Sequence, residues 1–552
     1  MVKNILKNGV NFLNVSQTNI ISAATVIMIM VSAAKILGVI KLRMLSARFL
    51  PEELGIYFAA FRLPNLIFEF LVLGALTSAF IPVFTGLLSK GKKDEAFLMS
   101  SSVINIGVLL TVVVALPLFI FANQISSLLA PGFTNSEISL MTSFTRIVIL
   151  AQVIPLIVGN FLTGILQSFK CFLIPALAPV LYDIGIILCI YFLTPVAGLY
   201  APVYGVVLGA FLFLAIQIPL IIKLGYRHKF RLDIRRPEVR EVGKLMLPRS
   251  IGLAASQIDS TTDLILASIL GSRSITVFAF AQALQQLPVF LFGSTIAQAS
   301  LPTLSEEIAN SDREKFKSTL LTSLHQILFL VFPASVLLLV LRIPLVRLAY
   351  GAKLFDWDAT ILTGQTLAMF SVSVFAQSAI QLLARSFYAL HDSKTPVIIG
   401  ILTVLLNVIL SVALVFIFHL PVWALGLSTS ISSITNVFLL LYFLDLKVNS
   451  FNRRLLFVSP SKIFIASFIT GLFLYIPMKL LDTLVFDTTR TINLIILTLI
   501  VSVIGFSVYL MLAVFLKIHE ATLFISGIKK IGNFRKVLIA TPEVIDGEKP
   551  NP

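Results

Sequence analysis

The feature that most constrains this chain is a series of long, unbroken apolar runs, of which Val103–Phe121 and Ile492–Phe515 are the clearest. About 20 apolar residues in a helix cross the hydrocarbon core of a bilayer. Inside that core every backbone group must be paired within its segment or around a closed barrel. Barrel strands would read as segments of about ten residues with alternating polarity, and these runs do not alternate. Composition points the same way: 58% of the 552 residues are hydrophobic and 12% are charged. A water-soluble surface needs more polar residues than that. The sequence predicts an all-α integral membrane protein with no sizeable soluble domain.

About fourteen spans are expected, near 20–43, 54–88, 97–121, 137–167, 172–193, 200–223, 243–270, 275–304, 317–341, 358–389, 396–418, 421–444, 462–481 and 491–516. Alternate connections differ in charge. One set carries Lys3 and Lys7, Lys90 to Lys93, Lys170, the cluster from Lys223 to Lys244, Lys394, Lys447 to Arg454, and Lys529 to Lys536. The other includes Asn123–Glu137, Thr194–Tyr200 and His419–Trp423, which hold no lysine or arginine, with Arg342–Lys353 as the exception. By the positive-inside rule the first set is cytoplasmic. Both termini are then cytoplasmic, which requires an even number of spans. The net charge of +16 is read as topogenic residues facing anionic headgroups. No basic, aromatic-interleaved domain suggests nucleic acid. Cys171 and Cys189 are not expected to form a disulfide.

The two halves resemble each other. Leu76-Thr77-Ser78-Ala79-Phe80-Ile81-Pro82 recurs 220 residues on as Ile296-Ala297-Gln298-Ala299-Ser300-Leu301-Pro302. Leu166-Gln167-Ser168-Phe169-Lys170 with Pro175 recurs as Ala384-Arg385-Ser386-Phe387-Tyr388 with Pro396. Near-constant offsets imply a duplicated lobe of six spans, and an even number makes the repeats parallel. Such folds place a substrate path between lobes and work by alternating access. The expected organisation is an N-lobe over 1–225, a basic linker over 226–237, a C-lobe over 238–446, two further helices over 447–520 and a tail over 521–552.

An ionisable group at mid-bilayer needs a partner or a wet cavity. Lys35, Lys41 and Arg43 lie on the first span, Arg62 and Glu69 on the second, Asp183 on the fifth, Arg249, Asp259 and Asp263 on the seventh, and Arg385 on the tenth. Lys35 and Lys41 could hold a phosphate by charge-assisted bonds; the alternative for Lys41 and Arg43 is to snorkel to headgroups. Asp259 and Asp263 share a helix face and invite a cation or shared protons; the alternative is pairing with Arg249. Glu69 has Arg62 two helical turns away as an available partner. His325 reads as a satisfied core residue.

These motifs together resemble the MurJ (MviN) lipid II flippases of the multidrug/oligosaccharidyl-lipid/polysaccharide exporter superfamily. The resemblance runs from about residue 20 to 520. It is carried by Lys35-Ile36-Leu37-Gly38-Val39-Ile40-Lys41, Ala60-Phe61-Arg62-Leu63-Pro64-Asn65, Gly74-Ala75 through Pro82, Leu284-Gln285-Gln286-Leu287-Pro288 through Pro302, and Ala384–Ala389 with Asp392 and Thr395-Pro396. It implies flipping of undecaprenyl-diphosphate-linked peptidoglycan precursor (lipid II) across the bacterial cytoplasmic membrane. Lys35, Lys41, Arg43, Arg62, Glu69, Gln282 and Arg385 would line the cargo cavity, and the last two helices would hold the prenyl tail. The chain departs from the family pattern in several places. Lys35 and Lys41 replace arginines and lose the bidentate fork. Leu42 and Leu73 replace acids, Phe68-Glu69 replaces a basic pair, and Gln282-Ala283 replaces Asp-Arg. The resemblance also implies a candidate sodium site at Asp263, Asn407 and Thr429, with Ser411 where a second acid is expected.

The sequence leaves alternatives open: export of another polyprenyl-linked saccharide or amphiphile, a non-transporting cell-wall scaffold, or a membrane enzyme of prenyl-lipid metabolism. The last lacks an acid-rich, paired-histidine or P-loop motif, so no enzyme and no resident cofactor is expected. Any driving force is then an ion gradient, sodium or proton, the membrane potential, or consumption of product. Two lobes in one chain predict a monomer.

Overall fold

A computed structural model describes residues 20–70, 79–484, 486, 490–522 and 524. Lys3, Lys7, Gly74-Ala75, the Leu76–Ser78 part of the repeat and the basic residues from Lys529 onward lie outside them. The described residues are helical, and the one extended pairing among them is the isolated Ala352–Phe355 bridge.

Nine of the described helices are long and apolar enough to cross a bilayer, and eleven if two broken pairs each count as one span. The broken pairs are Asn135–Ala151 with Val153–Ser168, and Trp357–Ser371 with Val374–Ala389. The first breaks at Gln152 with a 40° bend, because Pro155 has no N–H to give the Ala151 carbonyl. Three expected spans are not among these. Ile20–Arg48 is helical throughout, with the side chains of 20–29 outside the described residues. The second is divided into Pro51–Ala60, Arg62–Phe68 and Ile81–Ser89, with 71–78 outside the described residues. Pro237–Ile269 is helical throughout but rich in charge.

The chain forms two compact units. One comprises the chain to Gln286 with Arg342–Ser373 and Ser393–Asn436; the other comprises Leu287–Leu341, Val374–Asp392 and the chain from Val437. In the first unit, Ile20–Arg48 packs on Leu173–Ala197, which runs closely along Tyr200–Ala215. That pair is drawn together by glycine. A Cβ on Gly209 would lie 2.5 Å from the Tyr182 carbonyl, and one on Gly185 would lie 2.7 Å from the Gly209 Cα. Small residues four apart, Gly205 and Gly209, let membrane helices approach backbone to backbone. The approach fixes Asp183, which faces Lys41 of the first helix, and Tyr182, which packs on Gly209.

Also in this unit, the linker straps across Lys93–Ile120. Asn105 donates to the carbonyls of Lys229 (2.9 Å) and Arg231 (3.0 Å). His228 sits between Asn105 Oδ1 (2.8 Å) and Tyr226 Oη (3.0 Å), and Tyr226 in turn meets Ser101 (3.1 Å). A neutral imidazole protonated on Nε2 satisfies both neighbours. Burial pushes the His228 imidazole down and the Tyr226 phenol up to about 12.

In the second unit, Arg313–Val340 packs on Arg453–Leu484 and on Val374–Ala389, and Arg453–Leu484 packs on Thr491–Phe515. Phe332 stacks on Phe375 at 4.8 Å, and Tyr509 donates to the Phe329 carbonyl at 2.7 Å. His325 is buried, with Nδ1 3.4 Å from Glu520 Oε1, while its Nε2 has no partner. Large apolar side chains remain exposed along the spans, among them Val113 at 58% and Met511 at 66%. A bilayer is the solvent that covers such faces.

Candidate cargo and cation sites

Lys41 reaches across to Asp183 on Leu173–Ala197 in a 2.6 Å ion pair, with side chains 22% and 13% exposed. The glycine-mediated packing described above positions Asp183. The bond uses one of the three ammonium donors, so Lys41 keeps donors for a second acceptor. Lys35, six residues earlier on the same helix, is exposed. Arg43 donates to the Leu348 carbonyl at 2.7 Å.

Arg62 and Glu69 do not form the pair that their spacing offers. Arg62 donates to Thr261 Oγ1 (2.9 and 2.6 Å) and to the Gln257 carbonyl (2.5 Å). Glu69 accepts from Gln257 Nε2. Both side chains are thus drawn onto Pro237–Ile269, whose small polar residues supply partners at the right level. Gln282 is exposed. Arg385, in the second unit, donates to the Ser294 carbonyl at 3.1 Å. That carbonyl closes the π-turn Val289–Ser294, which follows Pro288 and its missing N–H.

The acidic pair on Pro237–Ile269 divides. Asp259 accepts from Asn407 Nδ2 at 2.7 Å. Asp263 is 6% exposed, and its Oδ1 has no hydrogen-bond partner; neither has Oδ1 of Asn407, which is 3% exposed. Thr429 Oγ1 donates to the Leu425 carbonyl at 2.8 Å, leaving its lone pairs. Ser411 pairs with Ser428 at 2.6 Å. The Arg249 side chain lies outside the described residues. Two buried oxygens without donors are costly unless something electropositive meets them. Among the described residues there is no group of three or more His, Cys, Asp or Glu of the kind a transition metal needs.

A cluster that the sequence reading did not single out closes one end of the first unit. Arg273 bridges Glu52 (2.7 Å) and Asp356 (2.6 Å). Ser272 donates to Glu137 Oε1 at 2.7 Å, and Thr276 donates to the Pro51 carbonyl at 2.6 Å. The backbones nearly touch: a Cβ on Gly55 would lie 1.8 Å from the Ser272 carbonyl oxygen, and one on Gly132 2.1 Å from that of Ser268. Gly132 and Glu137 lie in Asn123–Glu137, which holds no lysine or arginine, and Asp356 follows Arg342–Lys353, the basic exception. The only sequence signal was polar residues at span ends, which is weak evidence for contact.

Several known structures share this architecture. An inward-facing MATE multidrug transporter of the MOP superfamily superimposes with a TM-score of 0.63 at 16% identity, over 75% of this chain and 94% of that one. The structure of lipid II flippase MurJ in an inward closed conformation aligns with a TM-score of 0.74 at 25% identity, over 89% of this chain and 98% of that one. The fold is therefore that of a multi-pass transporter of the MOP type. Among sequence relatives, the probable lipid II flippase MurJ of Vibrio cholerae serotype O1 is 26% identical over 460 residues, covering 79% of this chain and 82% of that protein. The corresponding Bdellovibrio bacteriovorus protein is 26% identical over 488 residues, covering 86% and 91%. The family model described as lipid II flippase MurJ matches residues 53–494. The chain belongs to the MurJ lipid II flippase family.

Proposed function

We propose that this protein moves lipid II from the inner to the outer leaflet of the bacterial cytoplasmic membrane by alternating access, without chemical change to the cargo. The observation that carries the reading is the family match over most of the chain, joined to a set of cations on spans that otherwise face lipid. A diphosphate cannot enter hydrocarbon unaided, whereas a prenyl chain prefers it. In this reading Lys35, Lys41 and Arg62 meet the diphosphate, with Asp183 holding Lys41 in place until cargo arrives. Arg43, Glu69 and Gln282 line the same path. Arg385 belongs to the cargo set by resemblance. The prenyl tail lies along the last two helices.

The closed end at Glu52, Arg273 and Asp356 supports one half of an alternating cycle. The Asn123–Glu137 connection beside it, which holds no lysine or arginine, supports an extracytoplasmic placement, with both termini in the cytoplasm. Opening would break two ion pairs and separate the backbones at Gly55 and Gly132. Sodium is the proposed coupling ion. Asp263, Asn407 and Thr429 would hold it, and its charge would offset the buried carboxylate. The working unit is a monomer.

The test is complementation. Bacteria depleted of their own lipid II flippase should grow when they express the wild-type chain. They should not grow with Lys35→Gln/Lys41→Gln at equal membrane abundance. Growth with the double variant would remove those lysines from the mechanism. Failure of the wild type would remove lipid II as the cargo.

A further inference from the structure

The first unit contains a cavity of about 290 Å³ that none of the cargo residues named above lines. It lies among Arg62–Phe68, the broken pair around Gln152, Leu173–Ala197 and Tyr200–Ala215. Asn65 and Pro179 are the exposed lining residues and form its rim. Gln152, Val153 and Phe213 form its floor, at 4%, 2% and 7% exposure. Its size is near the lower end of small-molecule pockets, about 300–1,000 Å³.

The lining has a definite chemistry. Gln152 donates through Nε2 to Tyr182 Oη at 3.1 Å, yet its Oε1 has no partner. Asn160 uses Nδ2 on the Leu156 carbonyl at 2.8 Å, which leaves its carbonyl oxygen as an acceptor. Pro155 deprives the Ala151 carbonyl of its helical donor. Gln152 at the break and Asn160 about two helical turns farther along therefore offer acceptors on either side of the apolar walls of Phe68 and Leu156. Among the described residues no lysine, arginine, aspartate or glutamate lines the cavity. A phosphate would find no cation there, and a cation would find no carboxylate. An uncharged group rich in O–H and N–H donors fits both the acceptors and the apolar walls.

We propose that this cavity is a subsite for the neutral saccharide portion of the cargo headgroup, recognised through hydroxyl and amide N–H groups by Gln152 and Asn160. The inference rests on the lipid II reading and deepens it: the lysines hold charge, and this pocket reads sugar. A buried acceptor left without a donor destabilises a resting protein by the desolvation of that group. Its retention at a helix break beside an open cavity is what a binding site requires.

The experiment compares two probes on the purified full-length protein in nanodiscs: lipid II, and undecaprenyl diphosphate, which has the same tail and diphosphate without sugar. Wild-type protein should bind lipid II more tightly. Gln152→Leu should weaken lipid II about tenfold, as for one lost hydrogen bond of ordinary strength. It should leave undecaprenyl diphosphate binding unchanged, which also reports that the variant is folded. Its melting temperature should change little, because the loss of the Nε2 bond to Tyr182 Oη is offset by relief of the buried acceptor that had no partner. Equal weakening of both probes, or no weakening of lipid II, overturns the subsite. Wild-type protein that does not distinguish the two probes overturns the subsite as well. Wild-type protein that binds neither overturns the cargo reading itself.

Discussion

The Lys41–Asp183 pair gives the sharpest test of how the cavity is held before cargo arrives. At 2.6 Å and an effective dielectric of about 20, the gross attraction is about 6 kcal/mol. Desolvation takes back much of that, and breaking a buried pair by removing one partner costs about 3–5 kcal/mol. Both side chains keep some exposure, 22% and 13%, so the expected loss for Lys41→Gln or Asp183→Asn is about 2 kcal/mol, below that range because solvent screens the pair. A double-mutant cycle on unfolding in mixed micelles isolates the coupling. The double variant should be less destabilised than the sum of the singles by about 1–2 kcal/mol. Asp183→Asn should also free a lysine donor and strengthen binding of an anionic prenyl diphosphate while stability falls. Additive single effects, or a coupling below about 0.3 kcal/mol, would show that the contact contributes nothing. Weaker diphosphate binding by Asp183→Asn would refute the idea that Asp183 competes with cargo for Lys41.

Gly55→Ala places a Cβ 1.8 Å from the Ser272 carbonyl oxygen, so the closed end must part by about 1 Å; a Glu52→Cys/Arg273→Cys cross-link should form more slowly in that variant than in a Gly55 background. Asp263→Asn should abolish any rise in melting temperature with sodium chloride relative to choline chloride, and an unchanged sodium response would remove Asp263 from the cation site. The linker strap should loosen in acid. His228 is held below its ordinary value by burial, so its contribution is full above about pH 6.5, the unfolded value. That contribution is lost as pH falls through the lower folded value. Amide exchange across Tyr226–Arg231 should therefore speed up as pH falls below about 6.5, and His228→Gln should flatten that response.

Much of the architecture was legible because its cause is local. An apolar run predicts a helix across a bilayer whatever surrounds it; the break at Gln152 was not singled out within the expected 137–167 span, although its cause, the missing N–H of Pro155, is equally local. The positions of the intramembrane charges were legible for the same reason. Their partners were not. Lys41 and Asp183 are 142 residues apart, and nothing in either segment names the other. Arg62 and Glu69 were close enough in sequence to suggest each other, yet both turned to Gln257 and Thr261, residues with no charge to attract notice. Asn407 was expected beside Asp263 and bonds Asp259, one helical turn away, because a one-turn choice depends on how two helices sit in register. The closed end at Arg273 and the pocket at Gln152 are assembled from three or more segments each. Such sites are properties of packing, and sequence periodicity carries no record of them.

The central claim is transport of lipid II, and its most direct measurement is translocation in proteoliposomes containing only this protein and fluorescent lipid II. Lipid II placed in one leaflet should become accessible to a membrane-impermeant quencher on the other side at a rate that depends on the protein. Lys35→Gln/Lys41→Gln should reduce that rate to the protein-free level. Protein-independent exposure, or an undiminished rate in the double variant, would contradict the account.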